Sequence, residues 1–332
     1  MTDYYRGLGG FFRTTLDANV CRRQVLRELA CREQNLLDLL RRGVYAQANS
    51  PYRKLLQHAG FDFDDVPALV AHHGVEGALH RLFESGVYVS LEEFKGLTPI
   101  QRPGLCLATR PAEFDNPLQR GAFEARTGGS TGRGRPVLVA LDLVADEAAL
   151  YHHYLRALEL EHRPTAVWFP VPPGVAGLKG VMRQAKLGRK VDRWFSQRRL
   201  FGSPYSECLK AWTFLCLTRL QAARAGVRLP NSVFVPLDRA VVVARWLADT
   251  RQSGPPAVLE TNSSAGVRVC EAALQAGLDI SGSVLRLGGE PHTRAKDRTV
   301  RAAGCRAATH YFMAEQGLLG ELHSRVLAWW IT

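Results

Sequence analysis

The 332-residue sequence carries 43 Lys and Arg against 31 Asp and Glu, a formal net charge of +12, and is 46% hydrophobic. This length and apolar fraction predict one large or two medium globular domains. Residues 165–178 form the longest uncharged apolar stretch, but three prolines interrupt it and it is too short to span a bilayer. The N-terminus, MTDYYRGLGGFFRTT, lacks the apolar core of a secretory signal, so we expect a cytoplasmic protein with no membrane partner.

The seven cysteines are scattered along the chain and include no C-x-x-C pair. Their odd number and irregular spacing indicate reduced thiols rather than a disulfide framework. The same spacing argues against a zinc site.

Two helices are predicted near the N-terminus. Leucines recur at helical spacing in residues 17–43, and Gly43 is suited to end that helix. A second helix is predicted from an N-cap at Ser50 and a first turn at Pro51, and Gly60 follows its end. The first part of the chain is therefore expected to be helical.

A loop rich in Gly, Ser, Thr and Arg follows at residues 124–137, EARTGGSTGRGRPV. Its glycines let the backbone approach a ligand, and its hydroxyls and arginines suit a phosphate. A flexible surface turn is the alternative interpretation. A Walker A motif is excluded because Arg135 and Pro136 stand where its Lys and hydroxyl are required.

From residue 136 onwards, apolar strands alternate with helices, which predicts an α/β fold with a parallel sheet covered by helices. The predicted strands are 137–141, 165–171, 257–262, 283–290 and 307–315. The predicted helices are 142–162 opened by Asp142, 263–276, and one opened by Pro291.

Polar residues end three of these strands: Thr261 and Asn262, Gly288 to Glu290, and Glu315. Ligands bind at the carboxyl ends of strands in open parallel sheets, so these residues are candidates to hold a metal or a ribose. Helix capping is an equally good explanation of the same residues.

A basic run lies at residues 177–200, where eight Lys and Arg accompany the single acid Asp192. A solvated face or a site for a polyanion would each explain such a run. Because the run lacks helix-turn-helix, zinc-finger and aromatic RNA-binding patterns, we do not expect a nucleic-acid partner.

Four segments resemble the adenylate-forming (acyl-adenylating) superfamily in order. The loop Thr127-Gly128-Gly129-Ser130-Thr131-Gly132-Arg133 resembles its phosphate loop, with Arg135 in the basic place and Gly134 where Pro is usual. LRLGGEP at 285–291, YFMAE at 311–315 and NSPYRKLLQHAGFDFDDV at 49–66 resemble segments of phenylacetate-CoA ligases. Acyl-protein synthetases of bacterial luminescence are related to the same family.

The resemblance implies an AMP-forming acid-thiol ligase that uses ATP, Mg²⁺ and coenzyme A or another thiol acceptor, such as a carrier protein. The phosphate loop from Thr127 to Gly132 would bind ATP, with Thr131 and Arg135 catalytic. Glu315 would be catalytic through its coordination of Mg²⁺. The adenine site would comprise Gly288, Gly289, Glu290 and Tyr311. The carboxylic acid pocket would draw on positions such as Trp168, Phe169, Phe234 and Asn262, of which Trp168 and Phe234 are equally explained as core.

The resemblance also implies the domain organisation. Residues 1–75 would form a helical N-terminal segment and residues 76–332 the large α/β domain of an adenylate-forming enzyme. Members of the family continue to a ribose-binding Asp and a C-terminal lid domain that carries the adenylation lysine. The sequence ends 17 residues after Glu315, so we expect a truncated member without that lid domain.

Two other functions stay open at this point. Ala314 and Phe312 stand where the family carries a hydroxyl residue and a glycine, which favours a non-catalytic nucleotide-binding remnant. A polyanion-binding module that uses residues 177–200 is the second alternative.

Overall fold

The computed structural model describes residues 2–118, 122–126, 136–174, 176–200, 205–313 and 317–322. Its contacts divide the chain into one unit of Met1–Arg22 with Arg120–Thr332 and another of Arg23–Gln119. The boundary predicted after residue 75 lies inside a helix of the second unit. Within the described ranges, no helix is both long and apolar enough to cross a membrane.

The helices are numbered in chain order. They are α1 Thr2–Arg13, α2 Ala18–Ala30, α3 Arg32–Leu39, α4 Pro51–His58, α5 Asp65–Glu84, α6 Leu91–Phe94, α7 Leu141–Ala157, α8 Ala176–Lys186, α9 Tyr205–Arg224, α10 Ala240–Ser253, α11 Ser263–Ala276 and α12 Arg294–Ala302. Shorter helical turns are a π-helical segment, Leu40–Tyr45, and two 3₁₀ segments, Pro111–Phe114 and Leu237–Arg239.

The strands are numbered in the same way. They are β1 Ile100–Arg102, β2 Leu105–Leu107, β3 Ala122–Arg126, β4 Pro136–Ala140, β5 Thr165–Trp168, β6 Arg193–Ser196, β7 Ser232–Phe234, β8 Val258–Asn262, β9 Val284–Gly288, β10 Arg306–Met313 and β11 Gly317–Leu322. The pairs β1 with β2 and β3 with β4 form separate antiparallel ribbons.

Helices dominate the unit Arg23–Gln119. A small core joins Val66 and Val70 of α5 to leucines of α3 and of the π-helical segment. The helix predicted over 17–43 is divided at Cys31, whose backbone leaves helical geometry at φ −95° and ψ 9°. The helix predicted after Ser50 is confirmed as α4, and Gly60 follows it at φ +79°.

The larger unit contains a seven-stranded sheet in the order β11-β10-β9-β8-β5-β6-β7. The six strands from β10 to β7 run parallel, and only β11 pairs antiparallel, with β10. Every residue of β5 and β9 is buried, because helices cover both faces of the sheet. The α/β class predicted from the alternating pattern is therefore confirmed.

Each face of the sheet has its own core. On one face, α1, α7, α8 and α9 bury side chains such as Tyr4, Val144, Met182 and Leu215. On the other face, α10, α11 and α12 bury Val243, Val269 and Val300 against Leu259 and Leu285. This three-layer arrangement leaves the carboxyl ends of the parallel strands as one edge of the sheet.

The predicted elements of this unit agree with the structure within a few residues. The helix predicted at 263–276 is observed as α11 with the same bounds. The helix predicted to open at Pro291 begins instead at Arg294, because Thr293 is the N-cap and accepts a hydrogen bond from the Lys296 amide. The helix predicted over 142–162 ends at Ala157.

The basic run 177–200 has an exposed part and a buried part, and its Lys190, Arg193, Arg198 and Arg199 are exposed, as a solvated face would be. It contains α8, whose Lys179, Arg183 and Lys186 are buried. Lys179 Nζ lies 2.5 Å from a carboxylate oxygen of Glu147, which is buried as well. A buried cation requires such a partner, so these side chains belong to the interior.

Candidate functional site

Three strand ends meet at the carboxyl edge of the sheet. Asn262 at the end of β8 is in register with Gly288 at the end of β9. On the other side of β9, Thr309 of β10 is in register with Leu287, and the next residue, His310, contacts Gly288. Adjacent strands lie about 4.8 Å apart. The candidates Asn262 and Gly288 are thus immediate neighbours.

Gly288 and Gly289 are glycines for different reasons. A Cβ atom on Gly288 would lie 2.2 Å from Nε2 of His310, so only glycine fits beside that ring. Gly289 has φ +77°, a left-handed conformation that side chains rarely adopt, and the position of its absent Cβ is open. The first glycine therefore permits packing, whereas the second turns the chain at an open surface.

The Glu290 carboxylate joins three elements at this edge. It accepts hydrogen bonds from the Ser264 amide at 2.9 Å and the Ser264 hydroxyl at 2.5 Å, in the first turn of α11. Lys296 of α12 donates to it at 3.1 Å. Burial raises the pKa of Glu290, but the bonds from Ser264 and Lys296 outweigh burial and lower it. The carboxylate is therefore ionised and fixed at neutral pH.

Asn262 and Thr261 also have structural partners. The Asn262 side chain accepts a hydrogen bond from the Ala265 amide at 3.0 Å and is the N-cap of α11. The Thr261 hydroxyl donates to the carbonyl of Trp168 in β5 at 2.9 Å. Of the two explanations left open for the strand-end residues, capping describes the contacts of Asn262 and Glu290.

Tyr311 and Phe312 on β10 have opposite surroundings. Tyr311 is 64% exposed beside the antiparallel strand β11. Phe312 packs against the core on the α7 and α8 face, and Lys179 Nζ lies 4.4 Å from its ring centroid. Phe312, which departs from the family pattern, thus has a packing role, whereas the Tyr311 ring is available to a ligand.

A buried ionic network lies directly beneath this edge. Glu260 of β8 accepts hydrogen bonds from Tyr151 at 2.6 Å and Gln184 at 3.1 Å. It also pairs with Arg183 of α8 and, at 3.4 Å, with Arg286 of β9. Burial raises the pKa of Glu260, but the two guanidinium groups outweigh burial and lower it.

Sequence reasoning missed this network, although a signal was present. Glu260 and Arg286 each interrupt an otherwise apolar strand, in AVLETN and SVLRLGG. An ionisable residue inside a buried strand requires a partner of opposite charge. The sequence therefore indicates that each of these two residues has a buried partner, and the pairing of β8 with β9 shows that they face each other.

His310 borders the network and is neutral. Burial lowers its pKa well below the ordinary value, and the positive charges of Arg286 and Arg183 lower it further. Among the described residues its Nδ1 atom has no hydrogen-bond partner. The neutral ring packs next to Gly288 and carries one unprotonated nitrogen, and its tautomer decides whether that is Nδ1 or Nε2.

Most of the remaining predicted site residues lie outside the part of the chain that the structure describes. The phosphate-loop residues Thr127, Gly128, Gly129, Ser130, Thr131, Gly132 and Arg135 lie outside the described residues, as does Glu315. Trp168 is fully buried and donates through its indole nitrogen to the Val235 carbonyl at 2.9 Å, so it is core. In the part of the chain that the structure describes, no group of three or more His, Cys, Asp or Glu side chains could hold a metal ion.

No family model matches the chain, and no curated protein matches it. Among solved structures, it is similar to a 2-hydroxyisobutyryl-CoA ligase in complex with 2-HIB-AMP and CoA, at 20% identity and a TM-score of 0.47, over 87% of this chain and 50% of that chain. A fatty acid AMP ligase from Legionella pneumophila is similar at 15% identity and a TM-score of 0.37, over 64% of this chain and 32% of that one. An anthranilate CoA ligase in complex with anthranoyl-AMP is similar at 11% identity and a TM-score of 0.33, over 71% of this chain and 37% of that one. The match thus spans half or less of these three ligases.

Proposed function

We propose that the protein activates a carboxylic acid with ATP to an acyl-adenylate and transfers the acyl group to a thiol such as that of coenzyme A. The observation that supports this most is the position of two family-like motifs. Gly288 of the GGEP segment and Tyr311 of YFMAE belong to adjacent parallel strands, close to their carboxyl ends. Ligands bind at that edge in sheets of this kind.

The described residues suit a nucleobase at this edge. Gly289 leaves open space where any other residue would project a Cβ atom, and Tyr311 presents an exposed aromatic ring. A planar base can stack on such a ring or lie against a bare glycine backbone. Glu290 supports this surface indirectly, because its carboxylate holds the turn against α11 and α12.

The chemistry explains why the phosphate loop is required. The acid's carboxylate attacks the α-phosphorus of ATP, and pyrophosphate leaves. A thiol then attacks the acyl carbon, and AMP leaves. Hydroxyls and amides from Gly129 to Gly132, with Arg135, would offset the charge on the phosphates. A Mg²⁺ ion held by Glu315 would neutralise further phosphate charge.

ATP-pyrophosphate exchange with a panel of aryl and fatty acids tests the first half-reaction. We expect exchange with at least one acid and its loss in Ser130→Ala/Thr131→Ala. A matched control is Thr250→Ala/Ser253→Ala, which removes two hydroxyls that bond only to the backbone of α10. Exchange that survives the loop substitutions would contradict the proposed role of the loop.

The alternative of a non-catalytic remnant gives a different result in the same experiment. It rests on Ala314 and Phe312, and it predicts nucleotide binding without exchange for any acid. The polyanion-binding alternative keeps part of its basic run, because Lys190, Arg193, Arg198 and Arg199 are exposed whereas Lys179, Arg183 and Lys186 are buried. Binding of nucleic acid with a steep salt dependence, together with no binding of ATP, would favour it.

A further inference from the structure

A cavity of about 600 Å³ lies along one face of α12. The described residues that line it are His292, Thr293, Arg294, Asp297, Arg298 and Arg301. The last four are spaced i, i+3, i+4 and i+7, so they share one helix face. The cavity is open to solvent, so a ligand would bind along this helix face rather than be enclosed.

The cavity has an excess of positive charge. Asp297 is its only acidic residue in the described part of the lining, and its carboxylate lies 2.5 Å from Arg301 Nε and 3.4 Å from His292 Nε2. Burial raises the pKa of Asp297, but its bonds to Arg301 and His292 outweigh burial and lower it. The one acidic charge is thus already balanced within the cavity.

Arg294 and Arg298 remain without a counterion. Both are exposed, and neither makes an ion pair or side-chain hydrogen bond with the residues that the structure describes. They are one helical turn apart, a spacing at which like charges destabilise a helix. The nearby acid Glu290 is already engaged by Lys296 and Ser264. Two unbalanced guanidinium groups at a cavity are suited to bind an anion.

We infer that the α12 cavity binds the phosphate groups of a ligand that carries more than one of them. Guanidinium groups bind phosphate oxygens in a bidentate manner, and two on one face can hold neighbouring phosphates. The cavity adjoins the Glu290 turn through its lining residue His292, which bonds to Ser263 at 2.8 Å. It therefore lies next to the proposed nucleotide site.

Two ligands that the proposed reaction uses carry several phosphate groups. The identity of the ligand therefore rests on the proposed function. Coenzyme A carries a diphosphate and a 3′-phosphate, and ATP carries a triphosphate. Because the loop at 127–133 is the proposed site of the ATP phosphates, the α12 cavity takes coenzyme A. Both ligands present clustered phosphates, and titration with each of them shows which one binds at the α12 cavity.

Direct binding by titration calorimetry of the full chain tests the inference. The ligands are coenzyme A, 3′-dephospho-coenzyme A, pantetheine and ATP, at low and high salt. We expect Arg294→Gln/Arg298→Gln to weaken coenzyme A binding roughly tenfold, as two exposed ion pairs would. The expected loss is smaller for dephospho-coenzyme A and absent for pantetheine, and high salt diminishes it.

A matched control is Arg245→Gln/Arg251→Gln, which removes two exposed arginines of α10 on the same unit. We expect wild-type binding from this control. The α12 variant should unfold at no lower temperature than the wild type, since it loses a like-charge pair. Weakened binding with an intact fold would therefore report on the site.

Each other result of these titrations either supports or overturns the inference. If the variant weakens ATP instead of coenzyme A, the phosphate site stands and ATP is its source. Unchanged binding of both ligands would overturn the inference, as would an equal loss in the α10 control. A DNA duplex bound through the same two arginines, with no coenzyme A binding, would overturn it too. ATP-pyrophosphate exchange is measured separately, so a failed cavity and a failed enzyme are distinguishable.

Discussion

Glu260→Gln tests the buried ionic network most directly, because it removes one charge and almost no volume. Glu260 is 1% exposed and accepts bonds from Tyr151 and Gln184. Its charge faces the guanidinium groups of Arg183 and Arg286, which are also buried. In the variant, these two cations keep their places and lose their shared carboxylate.

The expected cost follows from that loss of charge. Removing one partner of a buried ion pair costs about 3 to 5 kcal/mol, because the remaining charge stays desolvated. Two cations share this carboxylate, so we expect the upper part of that range. For a unit of this size, the midpoint of thermal unfolding should fall by about 10 °C.

Chemical and thermal unfolding at pH 7 measure how much free energy of unfolding is lost in Glu260→Gln. Glu161→Gln is the matched control on the same unit, since Glu161 pairs with Arg156 at 3.7 Å on the surface. Its free energy of unfolding should change by less than about 1 kcal/mol. A loss of under about 1 kcal/mol in Glu260→Gln would refute the argument that the network is held by charge.

The pH dependence gives an independent check with a fixed sign. The pKa of Glu260 is lower in the folded chain than in the unfolded one, because Arg183 and Arg286 outweigh the effect of burial. Its stabilising contribution is therefore complete above the unfolded pKa of about 4.3 and is lost as the pH falls through the folded pKa. The difference between wild type and Glu260→Gln should shrink on acidification. A difference that grows on acidification would contradict this sign.

Three further substitutions probe the frame of the site. Gly288→Ala should destabilise the fold by roughly 1 to 3 kcal/mol, since the new Cβ would lie 2.2 Å from His310, and unfolding measurements would show it. Lys179→Met should cost about 3 to 5 kcal/mol by removing the cation that faces buried Glu147, whereas Lys179→Met/Glu147→Leu should cost less, as a double-mutant cycle with the Glu147→Leu single variant would reveal. Asn262→Ala should cost about 0.5 to 2 kcal/mol through loss of the α11 cap, and equilibrium unfolding checks this. If the double variant instead costs the sum of the Lys179→Met and Glu147→Leu single variants, the two charges are independent.

Local signals explain why some elements were predictable. The bounds of α11 follow from an N-cap at Asn262 and from Gly277, which ends the helix in a left-handed conformation at φ +63°. The strands on either side are apolar runs of ordinary length. Each signal lies within the segment that it defines. The sequence alone therefore predicts the bounds of β8, α11 and β9 to within a few residues. Pro291 was a weaker signal, and Thr293 opened the next helix instead.

Long-range partners explain what could not be predicted. The cations of α8 have ordinary helical spacing, and the sequence does not show that Lys179 lies against Glu147 or Arg183 against Glu260, 77 positions away. For the same reason, Glu290 was placed at a strand end but its bond to Ser264 was not anticipated. Pairing of this kind depends on which strands become neighbours.

The basic residues of this chain, whose net charge is +12, thus fall into two structural groups. Buried cations such as Arg183 and Arg286 face carboxylates and hold the interior together, whereas Arg294 and Arg298 at the α12 cavity face none among the described residues. Strand alternation places Arg286 two residues before Gly288, on the same face of β9. The network thus supports the strand end that bears the candidate site, and the exposed arginines lie beyond it. Neutralising the first group should lower stability, whereas neutralising the second should lower affinity for phosphate and leave stability intact.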